Sequence, residues 1–236
     1  MTIIDWLREI CRDYELKPVA VYRRHPHHQW PLFAQDDDEL QAKLAESGHF
    51  LALPTEPAAL ANVLEVSLLE FLVEKIETLA DVTARRGTER GYPDLEISGS
   101  RFGGSYHAVD VKVARRARSG RQTQSRITLY TGNTYFRYPT LKWPGTFRPF
   151  QEYGSHLDLL AVYTLNEESL SRIDNLELIV QEAWRIGSKQ RSSTTREYIG
   201  AVMSIDNLKA GKGEFKSPEE FYAFWRRYSF KIGRVV

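Results

Sequence analysis

The sequence holds a single cysteine, Cys11, among its 236 residues. A lone thiol excludes an internal disulfide framework and leads to the expectation of a reducing, cytoplasmic setting. No apolar run reaches the roughly 18 residues that a membrane-crossing helix needs, so no such helix is expected. The opening residues Met1-Thr2-Ile3-Ile4-Asp5-Trp6 lack the basic-then-apolar order of a secretion signal. Excess charge is missing too, since 32 Lys and Arg stand against 31 Asp and Glu, a formal net of +1. That balance does not announce a nucleic-acid binder. Carboxylates of a metal site can, however, cancel basic residues placed elsewhere. Repeats and low-complexity tracts are absent, and no Walker-type glycine loop suggests coupling to nucleotide hydrolysis.

What is present fits one domain able to bury a full core. Apolar residues at 42% and charged residues at 27% are ordinary for a globular chain. Basic residues gather at Arg115, Arg116, Arg118 and Arg121, between Arg185 and Arg196, and at Arg226, Arg227, Lys231 and Arg234. Ile3, Trp6, Leu7, Ile10, Cys11 and Tyr14 recur at helical spacing behind a Thr2 cap. Residues 18–22 read as a strand and residues 36–47 as a short acidic helix. A long helix is expected from Pro57 to about residue 83, with Leu60, Leu64, Leu68, Leu72, Ile76 and Leu79 as its core-facing stripe.

Beyond a polar turn punctuated by Gly87 and Gly91, strands are expected at 95–98, 106–114, 127–130 and 157–164. The pattern over 178–186 fits helix or strand. Ser217, Pro218 and Glu220 mark the start of a last helix carrying Phe221, Phe224, Trp225 and Tyr228. The sum is a mixed α/β fold with a central sheet, helices outside it and long polar loops.

Chemistry concentrates between Tyr92 and Lys112. Tyr92-Pro93-Asp94 opens one strand and Val109-Asp110-Val111-Lys112 lies in the next. Side chains alternate along a strand, so Asp110 and Lys112 share one face, about 7 Å apart, while Val109, Val111 and Val113 bury on the other. If the strands pair as a hairpin, Asp94 comes close to Asp110. Two carboxylates that close raise one another's pKa unless a cation sits between them. Magnesium suits the gap, because it takes one or two carboxylates, keeps several waters and accepts a substrate phosphate. Lys112 would then position the attacking water or stabilise charge on the phosphorane. The tripeptides Glu15-Leu16-Lys17 and Glu214-Phe215-Lys216 share the spacing, but neither has an upstream Pro-Asp and alternating valines. The plain alternative is a surface salt bridge between Asp110 and Lys112.

Tyr92-Pro93-Asp94 followed by Ala108-Val109-Asp110-Val111-Lys112 resembles the catalytic hairpin of the EcoRV-type restriction endonucleases, members of the PD-(D/E)xK superfamily. Glu65 on the long helix falls where that family carries an active-site glutamate. Trp184-Arg185-Ile186 with the polar stretch to Ile199-Gly200 is similar to its base-reading strand and loop. Ala210-Gly211-Lys212-Gly213-Glu214-Phe215, through Phe224-Trp225-Arg226-Arg227-Tyr228, is similar to its C-terminal segment. The likeness covers roughly residues 55 to 230. It implies the PD-(D/E)xK fold and a Type II restriction enzyme. Such an enzyme is a homodimer that wraps double-stranded DNA, cuts both strands of a palindrome with Mg2+ and leaves 5′-phosphates, alongside a partner DNA methyltransferase. In that scheme Asp94, Asp110 and Glu65 serve the metal and Lys112 the chemistry. Residues 1–55 form a peripheral or dimerisation region, and 87–200 the catalytic and recognition core.

The resemblance places DNA recognition in residues 187–196, with Gln190, Arg191, Ser193, Thr194, Thr195 and Arg196 as donors. The family's glycine- and asparagine-bearing loop centre is replaced here by Ser192 to Arg196, so the job carries over without the target sequence. Arg191 and Arg196 suit guanine reading and phosphate clamping equally. Thr88 and Arg90, before the Pro-Asp strand, are candidates for the minor groove. Tyr135-Phe136-Arg137-Tyr138 and Lys142-Trp143 suit core or interface better than base stacking. His25-Pro26-His27-His28 reads as a solvated loop, since Pro26 breaks the geometry that would aim three histidines at zinc. Two other functions stay open at this point. One is a repair or junction nuclease with the same hairpin, and the other a non-catalytic DNA-binding protein whose Asp94, Asp110 and Lys112 form an ion-pair network.

Overall fold

The structure is a computed structural model and describes residues 1–17, 34–47, 53, 56–88 and 91–230. The strand expected at 18–22, the histidines at 25, 27 and 28, Arg90, Lys231 and Arg234 lie outside the described residues.

Helix α1 (Ile3–Ile10) starts where Thr2 Oγ1 accepts a hydrogen bond from the Asp5 amide at 3.2 Å, and it buries Ile3, Trp6 and Leu7. Helix α2 spans Asp37–Ser47. Helix α3 (Pro57–Glu77) has proline in its first turn and Glu56 as its cap. The four-residue spacing of Leu60, Leu64, Leu68, Leu72 and Ile76 puts all five on one face, and none is more than 1% exposed.

This helix ends at Glu77, short of the expected residue 83, because Val82–Arg86 forms strand β1. Strand β1 is an edge strand whose register pairs Val82 with Gly99 and Arg86 with Leu95. Only Val82 in it is buried, so the segment carries no alternating apolar signal to announce a strand.

Strands β2 (Leu95–Gly99) and β3 (Tyr106–Arg115) form the expected antiparallel hairpin, with Leu95 opposite Val109. After β4 (Thr128–Tyr130) and the one-turn helix α4 (Thr134–Arg137), strand β5 (Tyr153–Leu165) lies parallel to β3. Strand β6 (Ile173–Glu182) then runs antiparallel to β5. The ambiguous segment 178–186 thus finishes a strand and turns into the short helix α5 (Ala183–Ile186). Residues 187–191, expected as loop, form strand β7 (Gly187–Arg191), which pairs with β8 (Ile199–Ala201). A polar strand at the margin of a small sheet shows no alternation in its sequence, and pairing across space supplies what the pattern lacks. Helices α6 (Ile205–Ala210) and α7 (Pro218–Arg227) close the chain. Ser217 Oγ caps α7 by accepting from the Glu220 amide at 3.2 Å, while the Glu220 carboxylate accepts from the Lys216 amide at 2.9 Å.

The main sheet has the order β1-β2-β3-β5-β6 and mixed direction, and a smaller sheet has the order β4-β8-β7. Helices α1 and α3 cover one face of the main sheet, meeting Val109, Val111, Leu157, Leu159 and Ala161. The other face places Ala108, Leu160, Val162 and Ile179 against Leu129, Ile199, Phe221 and Trp225. Phe136 joins this second core at 1% exposure, as the core reading of its aromatic cluster expected. Buried Ala108 and Ala114 flank Asp110 and Lys112 on the same side of β3. Alternation therefore presents two charged groups inside an apolar layer. Among the described residues no helix is long and apolar enough to cross a membrane.

Candidate active site

The hairpin register brings Asp94 and Asp110 into direct contact. The Asp94 amide donates to Asp110 Oδ1 at 3.1 Å, and the Val111 amide donates to Asp94 Oδ2 at 2.7 Å. Lys112 Nζ donates to Asp110 Oδ2 at 2.8 Å. The salt bridge of the plain alternative is therefore present, but not as an exposed surface pair. The two side chains are only 24% and 10% exposed, and a second carboxylate is hydrogen-bonded into the same site.

Electrostatics follow from that crowding. Burial first, and the Asp110 charge second, push the Asp94 carboxyl up to about 7. Burial alone would lower the Lys112 ammonium, but Asp110, Asp94 and Asp158 outweigh it and hold the lysine charged beyond its ordinary range. Burial also raises Glu65, which feels Lys112 and Asp110 in opposite senses.

A cleft of about 780 Å3 joins these groups. Helix α3 contributes Ala61 and Glu65, and the hairpin contributes Asp94, Asp110 and Lys112. Residues 125–131, around β4, line another side, and Arg196 and Tyr198 reach in from the β7–β8 loop. Four of the expected residues, Glu65, Asp94, Asp110 and Lys112, thus converge with one of the expected DNA contacts, Arg196. The other candidates lie apart from this lining. Gln190 and Arg191 end β7, and Ser193, Thr194 and Thr195 belong to the loop, where the Thr195 and Arg196 amides donate to Ser193 Oγ. Thr88 is exposed and its carbonyl accepts from the Gly91 amide at 2.8 Å.

Asp158 escaped the sequence reading. It stands on β5 in register with Asp110 and is 2% exposed. Burial, followed by the Asp110 charge, raises its carboxyl well above the usual carboxylate range. The available signal was a lone carboxylate interrupting the apolar run from Leu157 to Val162, which a buried strand does not carry without cause. Arg126 and Tyr198, two further members of the lining, carried no motif that marked them.

Asp94 and Asp110 offer oxygen donors of the kind hard divalent cations take, and a cation between them would relieve the repulsion that raises Asp94. Among the described residues no group of three His, Cys, Asp or Glu side chains forms a ready-made metal cage. The donor set therefore fits an ion that keeps waters and needs one or two carboxylates, and Glu65 lines the same cleft.

Comparison with individually curated proteins finds no match. A family model described as restriction endonuclease EcoRV matches residues 26–234, extending the resemblance well to the N-terminal side of residue 55. With that match over most of its length, and with a mixed sheet presenting its acidic hairpin in a cleft, the chain belongs to the EcoRV family of restriction endonucleases.

Proposed function

We propose that this protein is a Type II restriction endonuclease that hydrolyses phosphodiester bonds within a short palindromic site of double-stranded DNA. The observation that supports it most directly is the placement of Asp94, Asp110 and Lys112 in one cleft that Arg196 also enters. Arg196 is exposed and fully charged at working pH, as a phosphate-facing donor must be.

Asp94 and Asp110 would hold Mg2+, with Glu65 beside them in the same cleft to orient a water. When bound, the ion supplies Lewis acidity at the scissile phosphate and a lowered pKa for the water beside it. Lys112, kept cationic by its carboxylate neighbours, steadies the attacking water or the charge that builds on the phosphate oxygens. Attack of the water oxygen on phosphorus with departure of the 3′ oxygen leaves a 5′-phosphate and a 3′-hydroxyl. Two copies of the chain act on the two strands, because a palindrome presents the same half-site twice to a two-fold dimer. A DNA methyltransferase of matching specificity protects the host. Residues 1–55 form a peripheral or dimerisation region, and 87–200 the catalytic and recognition core.

The test is incubation of wild-type and Asp110→Ala protein with phage DNA and magnesium, followed by electrophoresis. Discrete fragments from the wild type alone are expected. Equal cutting by both would place the chemistry elsewhere, and cutting confined to flaps or junctions would indicate a repair nuclease.

A further inference from the structure

We propose that Arg126 determines sequence specificity by acting through Gln190, fixing which edge of the glutamine amide is offered to DNA. The proposal rests on the restriction-endonuclease reading and adds a residue to it. Arg126 directly precedes β4, is half-buried and lines the cleft. Its Nη1 donates to the Ala201 carbonyl of β8 at 2.7 Å, and its Nη2 donates to Gln190 Oε1 of β7 at 2.7 Å. One planar fork thus bridges β8 and β7, two of the three strands of the small sheet.

A guanidinium has donors and no acceptor, so the amide atom facing it must be the oxygen. The orientation of the Gln190 amide is thereby set before any DNA arrives, with its Nε2 donors turned away from Arg126. The Gln190 backbone is held as well. Its amide donates to Ser188 Oγ at 3.1 Å, and the buried Ser188 hydroxyl donates to Glu214 Oε2 at 3.1 Å. Just beyond, Thr128 Oγ1 and Ser192 Oγ lie 2.7 Å apart and tie β4 to the loop.

Gly200 makes the crossing possible. A Cβ there would overlap the Arg126 side chain and come within 2.7 Å of the Gln190 carbonyl oxygen. The Arg126 stem therefore passes over a residue that can only be glycine. Gln190 itself is exposed at the end of β7, where a base edge can reach it. Glutamine discriminates bases through the direction of its donor and acceptor. A side chain already oriented loses less freedom on binding and tolerates a wrong base less well. Arg126 is a positioning residue in this scheme. Its effect falls on the choice between sites, which a merely structural role would leave alone.

The experiment compares wild type, Arg126→Ala, Arg126→Lys, Gln190→Ala and the Arg126→Ala/Gln190→Ala double variant on phage DNA with magnesium. Sequencing the fragment ends gives the cleavage ratio between the preferred site and sites differing from it by one base pair. The ratio should fall about tenfold or more in Arg126→Ala and in Gln190→Ala, the usual scale of one two-point base contact. The double variant should fall no further than either single one. Arg126→Lys should fall similarly, because a lysine keeps the charge but not the two-armed fork. Cleavage reduced evenly at all sites with the ratio intact would overturn the proposal, as would effects that multiply in the double variant. Gln190→Ala removes an exposed side chain, so it keeps the test open if Arg126→Ala does not fold. A wild type that cuts every site alike would overturn the restriction reading itself, an outcome distinct from a selective wild type matched by a selective Arg126→Ala.

Discussion

Replacing Asp94 by asparagine should stabilise the metal-free protein at pH 8 while abolishing cleavage. The substitution keeps the shape and an oxygen to accept from the Val111 amide, now 2.7 Å away. It removes a charge that the folded state holds at a cost. The carboxyl rises from 3.8 to about 7, which at about 1.4 kcal/mol per pH unit makes ionised Asp94 unfavourable by on the order of 4 kcal/mol. Solvent that reaches the cleft halves this in the cautious limit, giving about 2 to 4 kcal/mol. For a chain of this size that corresponds to a rise in Tm on the order of 5 to 15 °C.

The sign follows from linkage. A carboxyl raised on folding contributes stability below its unfolded pKa near 4 and loses it as the pH climbs through about 7. The wild type should therefore weaken between about pH 4 and 7 relative to Asp94→Asn, and the two should come closest to melting alike near pH 4. If Asp94 and Asp110 hold magnesium in the folded state, the ion should raise the wild-type Tm most at pH 8, with little effect on the variant. Thermal unfolding at both pH values, with and without magnesium, reads all four quantities. An Asp94→Asn protein no more stable than wild type at pH 8, or stabilised as much at pH 4 as at pH 8, would refute the reasoning.

Three further outcomes are expected. At low fixed magnesium, cleavage should rise about tenfold per pH unit below pH 7 and then level off, with the midpoint moving down as magnesium increases. A pH–rate profile at two magnesium concentrations checks it, and a fixed midpoint would count against Asp94 as a ligand. Lys112→Ala should lower cleavage at least about 100-fold while leaving DNA binding in calcium intact, measured by single-turnover cleavage and gel shift. Leu64→Ala, at a position with no exposed surface, should cost about 2 to 5 kcal/mol in a denaturant titration, because the cavity opens under the helix that carries Glu65.

Much of the site was legible because hairpins are local. The Tyr92-Pro93-Asp94 and Asp110-Val111-Lys112 pieces lie close in sequence, and strand alternation alone puts Asp110 and Lys112 on one face. The helical stripe on α3 was equally plain, and with it the helix that delivers Glu65. Element ends fared worse. The helical pattern overruns α3 into the first two residues of β1, and β7 reads as loop, since a lone buried valine or a polar strand gives no periodic signal.

By itself, then, the sequence determined the α/β class and the acidic hairpin with its lysine, the hairpin set by residues within about one strand-turn-strand of each other. Only the tertiary structure decided what stands beside them. The parallel pairing of β3 with β5 buries Asp158 next to Asp110 across 48 residues of chain, and the small sheet joins Arg126 to Gln190 across 64. Such contacts depend on strand order and register, which arise when separate segments bury their apolar faces together and leave no periodic trace in any one of them.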